Sequence, residues 1–170
     1  VVPYGNVIDS RGSVLPFFRK LAANGARELP ITDPRMTRFW ITLQQGVDFV
    51  LESLNRMQGG ELFVPKLPSA RITDLANAVA PHLPHQIVGI RPGEKLHEIM
   101  CPRDDSRLTL EFNDYYVIRP SITFTRQMDY AISRFGEQGR LVEDEFEYNS
   151  GSNPHFLNVD ELHSLLAEVG

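Results

Sequence analysis

Three short stretches place polar or cationic side chains where the chain turns out of a regular element: Tyr4-Gly5-Asn6-Val7, Asp33-Pro34-Arg35-Met36-Thr37-Arg38-Phe39, and Arg91-Pro92-Gly93-Glu94-Lys95-Leu96-His97-Glu98. Arg91 follows an apolar run and precedes Pro-Gly, a setting that projects a planar cation at a sheet edge, where it can take a phosphate in bidentate fashion. Glu94, three residues on, carries the acceptor oxygens that suit a diol. One patch could therefore hold phosphate and ribose. With equal weight, Arg91 and Glu94 could pair with each other or cap a helix starting over Leu96 to Met100. Arg38 is either a second phosphate ligand or a solvated charge at a strand end. Asn6 falls at the C-terminal end of a strand, where ligands bind in α/β sheets, although Asn after Gly is more often a turn residue.

Other chemistries find less support. His82, His85, His97, His155 and His163 show no metal-ligand spacing, and one cysteine cannot complete a zinc site, so no metal is expected. There is no Gly-x-Ser-x-Gly elbow, no Gly-x-Gly-x-x-Gly and no Tyr-x-x-x-Lys. The sequence offers a binding surface and no catalytic residue of its own.

The elements that must position these patches read as follows. Val1 to Val7 is expected as a short strand, and after a turn over Asp9 to Gly12, Ser13 is placed to cap a helix with Val14, Phe17, Phe18 and Leu21 inward and Gly25 as its stop. Leu29 to Ile41, broken by Pro30 and Pro34, reads as two short strands around a turn, the second carrying Arg38. Thr42 and Gln45 form a capping-box pair ahead of a helix whose expected buried stripe is Val47, Val50, Leu51 and Leu54. Glu61 to Val64 is a strand, Thr73 to Leu83 a helix with Leu75, Ala76 and Val79 inward, and Gln86 to Ile90 a strand. This alternation gives an α/β fold. From Cys101 to Asn153 the periodicity fades, and long irregular segments wrapping a neighbour are expected. A last helix is marked by Asn158 and Glu161 as a capping box, a Leu157–Leu162 staple, and Leu165, Leu166 and Val169 along its stripe.

The 170 residues, 42% hydrophobic, suffice for one core without disulfides, so one domain, or one with a small appendage, is expected over residues 1–170. With 17 basic against 22 acidic residues the net charge is -5, and no basic cluster marks a nucleic-acid partner. No apolar run approaches a membrane span, and the start lacks a leader's features, so a soluble, cytoplasmic protein with no membrane partner is expected. Cys101 reads as a small apolar filler. The opening without methionine, on an apolar pair resembling the middle of a strand, suggests a fragment.

Taken together, the runs YGNVIDSRGSVLPFF from Tyr4, LPITDPRMTRFWIT from Leu29, GGELFVPKLPSARITDLA from Gly59 and IVGIRPGEKLHEIM from Ile87 resemble, in order and spacing, the inverting UDP-N-acetylglucosamine 4,6-dehydratases of the extended short-chain dehydrogenase/reductases. The likeness covers nearly the whole chain and extends to NPHFLNVDEL from Asn153. It implies the C-terminal portion of that fold: the last Rossmann strands and helices plus the small substrate-binding domain. It further implies that Asn6 contacts the sugar-nucleotide diphosphate and that Arg11, Ser13 and Val14 form the loop and helix start beside the nucleotide. Thr32, Met36 and Arg38 would flank uridine and diphosphate, Arg91 would take phosphate and Glu94 the ribose. Tyr4 and Gly5 would face the cofactor.

The implied ligands are UDP-N-acetylglucosamine or UDP, with NADP bound mainly by an N-terminal Rossmann half absent from this chain. A homo-oligomer and a route toward pseudaminic acid or related surface glycans are also implied. In the family the reaction runs by hydride abstraction from C4, elimination of water across C5 and C6, and hydride return to C6 with inversion at C5. The acid/base pair for that chemistry would precede Val1, so this chain alone is expected not to turn over substrate. A related UDP-sugar C4 epimerase or non-inverting dehydratase, and a non-catalytic nucleotide-sugar-binding module, are the alternatives. One departure is Pro3, where the family usually has arginine; it removes an amide from the strand entry.

Overall fold

The computed structural model describes residues 1–122 and 128–169, with the backbone alone for residues 168 and 169. In chain order the elements are β1 (Asn6–Val7), α1 (Val14–Ala23), β2 (Leu29–Ile31), β3 (Thr37–Ile41), α2 (Leu43–Arg56), β4 (Leu62–Pro65), β5 (Ser69–Arg71), α3 (Ile72–Val79) and β6 (His85–Ile87). Then follow β7 (Ile99–Cys101), a 3₁₀ turn (Arg103–Leu108), β8 (Thr109–Glu111), β9 (Tyr115–Ile118), β10 (Arg140–Leu141), β11 (Tyr148–Asn149) and α4 (Val159–Val169). The strand–helix alternation expected over the first ninety residues is present, and the class is mixed α/β. Contacts divide the chain into two compact units.

One unit comprises Gly5–Leu43, Leu67–Glu98 and Ser150–Gly170. Its strands form a three-stranded sheet in the order β1-β3-β5, with β1 parallel and β5 antiparallel to β3, and a parallel pair β2-β6. Leu15 and Phe18 of α1, Leu29 and Ile31 of β2, Trp40 of β3, Leu75 and Ala76 of α3 and Leu162 and Leu166 of α4 build its core.

Local sequence explains these elements. Helix α1 ends where Gly25 takes φ +72°, with the Gly25 amide bonded to the Ala22 carbonyl and the Ala26 amide to that of Leu21. That is a Schellman closure, and the left-handed residue at its centre favours glycine. Helix α3 stops at Val79, earlier than expected, because Pro81 disfavours helical geometry at Ala80, which adopts φ -148° and ψ 75°. Helix α4 opens with the expected reciprocal capping box: the Glu161 amide donates to Asn158 Oδ1 at 2.9 Å and the Asn158 amide to Glu161 Oε2 at 2.8 Å. The Val169 side chain, assigned to its stripe, lies outside the described residues.

Several expectations are corrected. The strand expected over Val1 to Val7 is reduced to Asn6–Val7. In α1, Leu15 is fully buried while Phe17 is 48% exposed, because the core lies on the Leu15–Phe18 side and Phe17 borders a cavity. Ser13 sits at the N-cap, yet its hydroxyl makes no capping bond.

The other unit comprises Val1–Tyr4, Gln44–Lys66 and Ile99–Asn149. Its four-stranded antiparallel sheet runs β10-β8-β9-β4, beside an antiparallel pair β11-β7. The segment Cys101–Asn153, expected to be irregular, thus contributes four strands and a core of Leu110, Phe112, Tyr115 and Val117 against Phe63. All four residues of β9 are buried, so the sequence shows no alternation there. Phe112 and Tyr115 stack with ring centroids 4.7 Å apart. Cys101 is buried, and burial pushes its thiol up to about 12, in keeping with an apolar filler.

The largest correction concerns α2. The stripe expected to be buried is exposed at Val47, Leu51 and Leu54, and Ser53 is the buried residue of the helix. Hydrophobic periodicity specifies a face and says nothing of what covers it. Among the described residues no helix is long and apolar enough to cross a membrane.

Candidate functional site

A cavity of about 450 Å³ opens in the unit built from Gly5–Leu43, Leu67–Glu98 and Ser150–Gly170. Asn6, Ser13, Val14, Thr32, Met36, Arg38, Arg91 and Glu94 all line it. They arrive from β1, the start of α1, the loop after β2, β3 with the turn before it, and the turn after β6. Arg11 is exposed and does not line the cavity. Neither do Tyr4 and Gly5.

The polar face centres on the first turn of α1. At this helix start the amides of Val14 and Leu15 lack intrahelical partners, since the Ser13 amide donates to the Ser10 carbonyl at 3.1 Å and Pro16 has no amide hydrogen; such unpaired amides favour an anion. No acidic residue occupies this first turn, and Ser13 Oγ is buried without a hydrogen-bond partner among the described residues. The expected cap fails here, leaving the amides and the hydroxyl available to a ligand.

Arg91 is presented by a tight turn. The Glu94 amide donates to the Arg91 carbonyl at 3.0 Å, with Pro92 and then Gly93 (φ +86°) between them. Pro followed by a left-handed Gly is the type II arrangement, which explains the Arg-Pro-Gly-Glu order. The Glu94 carboxylate accepts from the Arg91 amide at 3.0 Å. The expected pairing of Arg91 and Glu94 is therefore between carboxylate and main chain. The alternative helix over Leu96 to Met100 is absent, since β7 begins at Ile99. Among the described residues nothing pairs with the Arg91 guanidinium.

Arg38 differs. Its Nη1 donates to the carbonyls of Thr37 at 2.6 Å and Leu96 at 3.2 Å, its Nη2 to that of Lys95 at 2.9 Å, and its Nε lies 3.4 Å from Glu98 Oε1. Burial lowers its pKa, against the raising effect of Glu98 and Glu94. The guanidinium borders the cavity while tying the 95–98 segment to β3. The preceding turn is held by Asp33, whose Oδ1 accepts the Arg35 amide at 2.8 Å and whose Oδ2 accepts Arg35 Nη2 at 2.8 Å. The Arg35 guanidinium holds the Asp33 carboxyl down at about 2. Arg35 is so occupied outside the cavity, and Met36 turns into it.

The remaining wall is apolar: Phe17, Phe18, Pro30, Ile72 and Val88 join Val14 and Met36. Phe17 and Phe18 carry the sequence pattern of a helix core, and Ile72 and Val88 carry no signal of a site. Phe17 lies one turn from Ser13 and Val14 on α1, so its periodicity is that of a core position; its exposure is what distinguishes it. Gly5 has a packing explanation, because a Cβ there would lie 2.6 Å from the Phe39 carbonyl oxygen.

Comparison with known proteins adds the family context. Residues 1–120 match the family described as polysaccharide biosynthesis protein. The inverting UDP-N-acetylglucosamine 4,6-dehydratase of Campylobacter jejuni subsp. jejuni serotype O:2 is 59% identical over 163 residues, 95% of this chain and 49% of that protein. The UDP-glucose 4-epimerase of Rickettsia canadensis is 35% identical over 170 residues, covering 98% of this chain and 48% of the relative. Among solved structures, Pen from Bacillus thuringiensis superposes with a TM-score of 0.80 at 26% identity, over 99% of this chain and 49% of that one. The chain spans about half the length of the curated relatives it matches.

Proposed function

This chain belongs to the polysaccharide biosynthesis protein family, and from that premise we propose that it supplies the UDP-sugar-binding half of an inverting UDP-N-acetylglucosamine 4,6-dehydratase. The fold is that of part of an extended short-chain dehydrogenase/reductase, and the C-terminal half fits the half-length match. The observation that carries the proposal is convergence: residues scattered from Asn6 to Glu94 line one cavity within the usual size range of small-molecule sites. In this reading the diphosphate lies at the first turn of α1, against Ser13 Oγ and the unpaired Arg91, with Asn6 at its edge. The pyrimidine lies along the wall of Val14, Phe17, Met36 and Val88. Glu94 accepts from the ribose hydroxyls while its other bond keeps the turn closed.

Arg38 acts in this reading through the 95–98 segment as well as through its own charge. Two guanidinium groups at one cavity offset a doubly charged diphosphate in a chain whose net charge is -5. NADP belongs, in the same proposal, to the remainder of the enzyme. A cytoplasmic homo-oligomer acting toward pseudaminic acid or related glycans completes it. The epimerase alternative shares this half-site, and nothing lining the cavity favours it.

Calorimetric titration of UDP into the 170-residue chain tests the site. Saturable one-to-one binding, weakened about tenfold or more by Arg91→Ala, is expected; absence of binding overturns it. The reaction is tested on the full-length enzyme containing this chain, with UDP-N-acetylglucosamine and NADP. A 4-keto-6-deoxy product inverted at C5 supports the dehydratase, and a C4 epimer alone supports the alternative.

A further inference from the structure

Beneath the turn that presents Arg91 and Glu94 lies a hydrogen-bonded chain of three side chains that no part of the nucleotide reading uses. Thr37 Oγ1, on β3, is 2.8 Å from His97 Nδ1 and 2.7 Å from Ser150 Oγ. Ser150 Oγ accepts the Glu98 amide at 2.9 Å and lies 3.2 Å from the Thr37 carbonyl. Thr37 and Ser150 are buried, at 3% and 0% exposure, so bonds lost here are not replaced by water. Main-chain bonds run beside them, from the Thr37 amide to the Leu96 carbonyl and from the Ser150 amide to the Glu98 carbonyl. Gly151 admits the imidazole: a Cβ there would lie 2.6 Å from His97 Nδ1.

The protons of this chain balance in two ways. With His97 neutral and Nδ1 accepting, Ser150 donates to Thr37 Oγ1 and Thr37 donates to His97. With Nδ1 protonated, His97 donates to Thr37 Oγ1, Thr37 to Ser150 Oγ, and Ser150 to the Thr37 carbonyl. The Glu98 amide bond survives in both. The link therefore persists whether the ring is neutral or charged, as suits a fixed mount.

We propose that Thr37, His97 and Ser150 are positioning residues that hold the 91–98 segment to β3, and so set the placement of Arg91 and Glu94 over the cavity. What the segment then grips rests on the nucleotide reading above; the mount itself does not. The test combines hydrogen–deuterium exchange over residues 91–98 with UDP titration in the 170-residue chain. Thr37→Val, His97→Ala and Gly151→Ala are expected to speed exchange of the Glu98 and Glu94 amides and to weaken UDP about three- to tenfold. The last variant removes no polar group and only displaces the ring. Thr37→Ser and His97→Asn, which keep a hydrogen-bonding atom in place, are expected to restore both readouts; a general loss of folding would not be rescued selectively. Unchanged exchange in the first three variants overturns the proposal, as does faster exchange with UDP affinity intact. If the wild-type chain binds no UDP, the nucleotide reading falls, while exchange at Glu98 still decides whether the mount exists.

Discussion

The carboxylate of Glu94 accepts its hydrogen bond from the main-chain amide of Arg91, at 3.0 Å, and leaves the guanidinium of that residue unpaired. A salt bridge between the two would have neutralised the cation before any ligand arrived. Bonding to the amide instead closes the turn and keeps the positive charge available. Glu94→Gln retains an acceptor for that amide, so the turn and the melting temperature should be little changed. If Glu94 also receives ribose hydroxyls, the same variant weakens UDP by about three- to tenfold, while Arg91→Ala costs more because a charged partner is lost. Equal effects of the two variants on UDP would contradict the division of roles.

Arg38 is expected to behave differently from Arg91 despite lining the same cavity. Its three nitrogens serve the carbonyls of Thr37, Lys95 and Leu96 and the Glu98 carboxylate. Arg38→Ala would remove the charged donor from these acceptors, of which the Thr37 and Leu96 carbonyls are part-buried and that of Lys95 is exposed, a loss of about 1–3 kcal/mol. Arg38→Lys supplies one charge without the planar fork and should recover only part of it. Chemical denaturation separates the two arginines: Arg91→Ala should leave the midpoint nearly unchanged, and Arg38→Ala should lower it.

What the sequence made legible, and what it hid, divides along physical lines. Local signals read well, because capping and turn chemistry act over three or four residues. Asn158 with Glu161 specified the start of α4, and Arg91-Pro92-Gly93-Glu94 specified a tight turn. Asn6, Arg38 and Arg91 of the cavity wall were legible as polar patches at the ends of elements, and Ser13 and Thr32 through the family resemblance. Hidden were the features that depend on distant partners. The apolar periodicity of α2 is real, yet Val47, Leu51 and Leu54 face outward. The strands between Cys101 and Asn149 are two to four residues long, too short for any period to register. The mount at Thr37 joins residues sixty and more than a hundred positions apart, with no local signature.

In the unit that carries the antiparallel sheet, Glu137 offers a pH test. Its Oε2 accepts from Ser133 Oγ at 2.8 Å, Tyr115 Oη at 2.8 Å and Arg56 Nε at 3.2 Å. Burial alone would raise its pKa, but these donors outweigh burial and hold it below its ordinary value of 4.5. A carboxyl depressed in the folded state adds stability that is fully present above its unfolded pKa and is lost as pH falls through the folded one. Glu137→Gln should therefore be less stable than wild type at neutral pH, with the difference shrinking below about pH 4. Urea unfolding of both proteins between neutrality and pH 3 measures it, and a difference that grows on acidification contradicts the assignment.

Gly5 tests whether packing or ligand approach explains a glycine. Its φ is not in the left-handed region, so an alanine meets no backbone strain. The added Cβ would instead meet Phe39 at 2.6 Å from the carbonyl oxygen and 2.7 Å from Cβ, atoms of a hydrogen-bonded strand that cannot rotate away. Overpacking of this kind costs about 1–3 kcal/mol, so Gly5→Ala should lower the denaturation midpoint. Because β3 also carries Thr37 and Arg38, displacement of Phe39 should speed exchange in the 95–98 segment as well. A variant as stable as wild type, with exchange unchanged, would contradict the packing explanation and favour Gly5 as a residue kept small for a ligand.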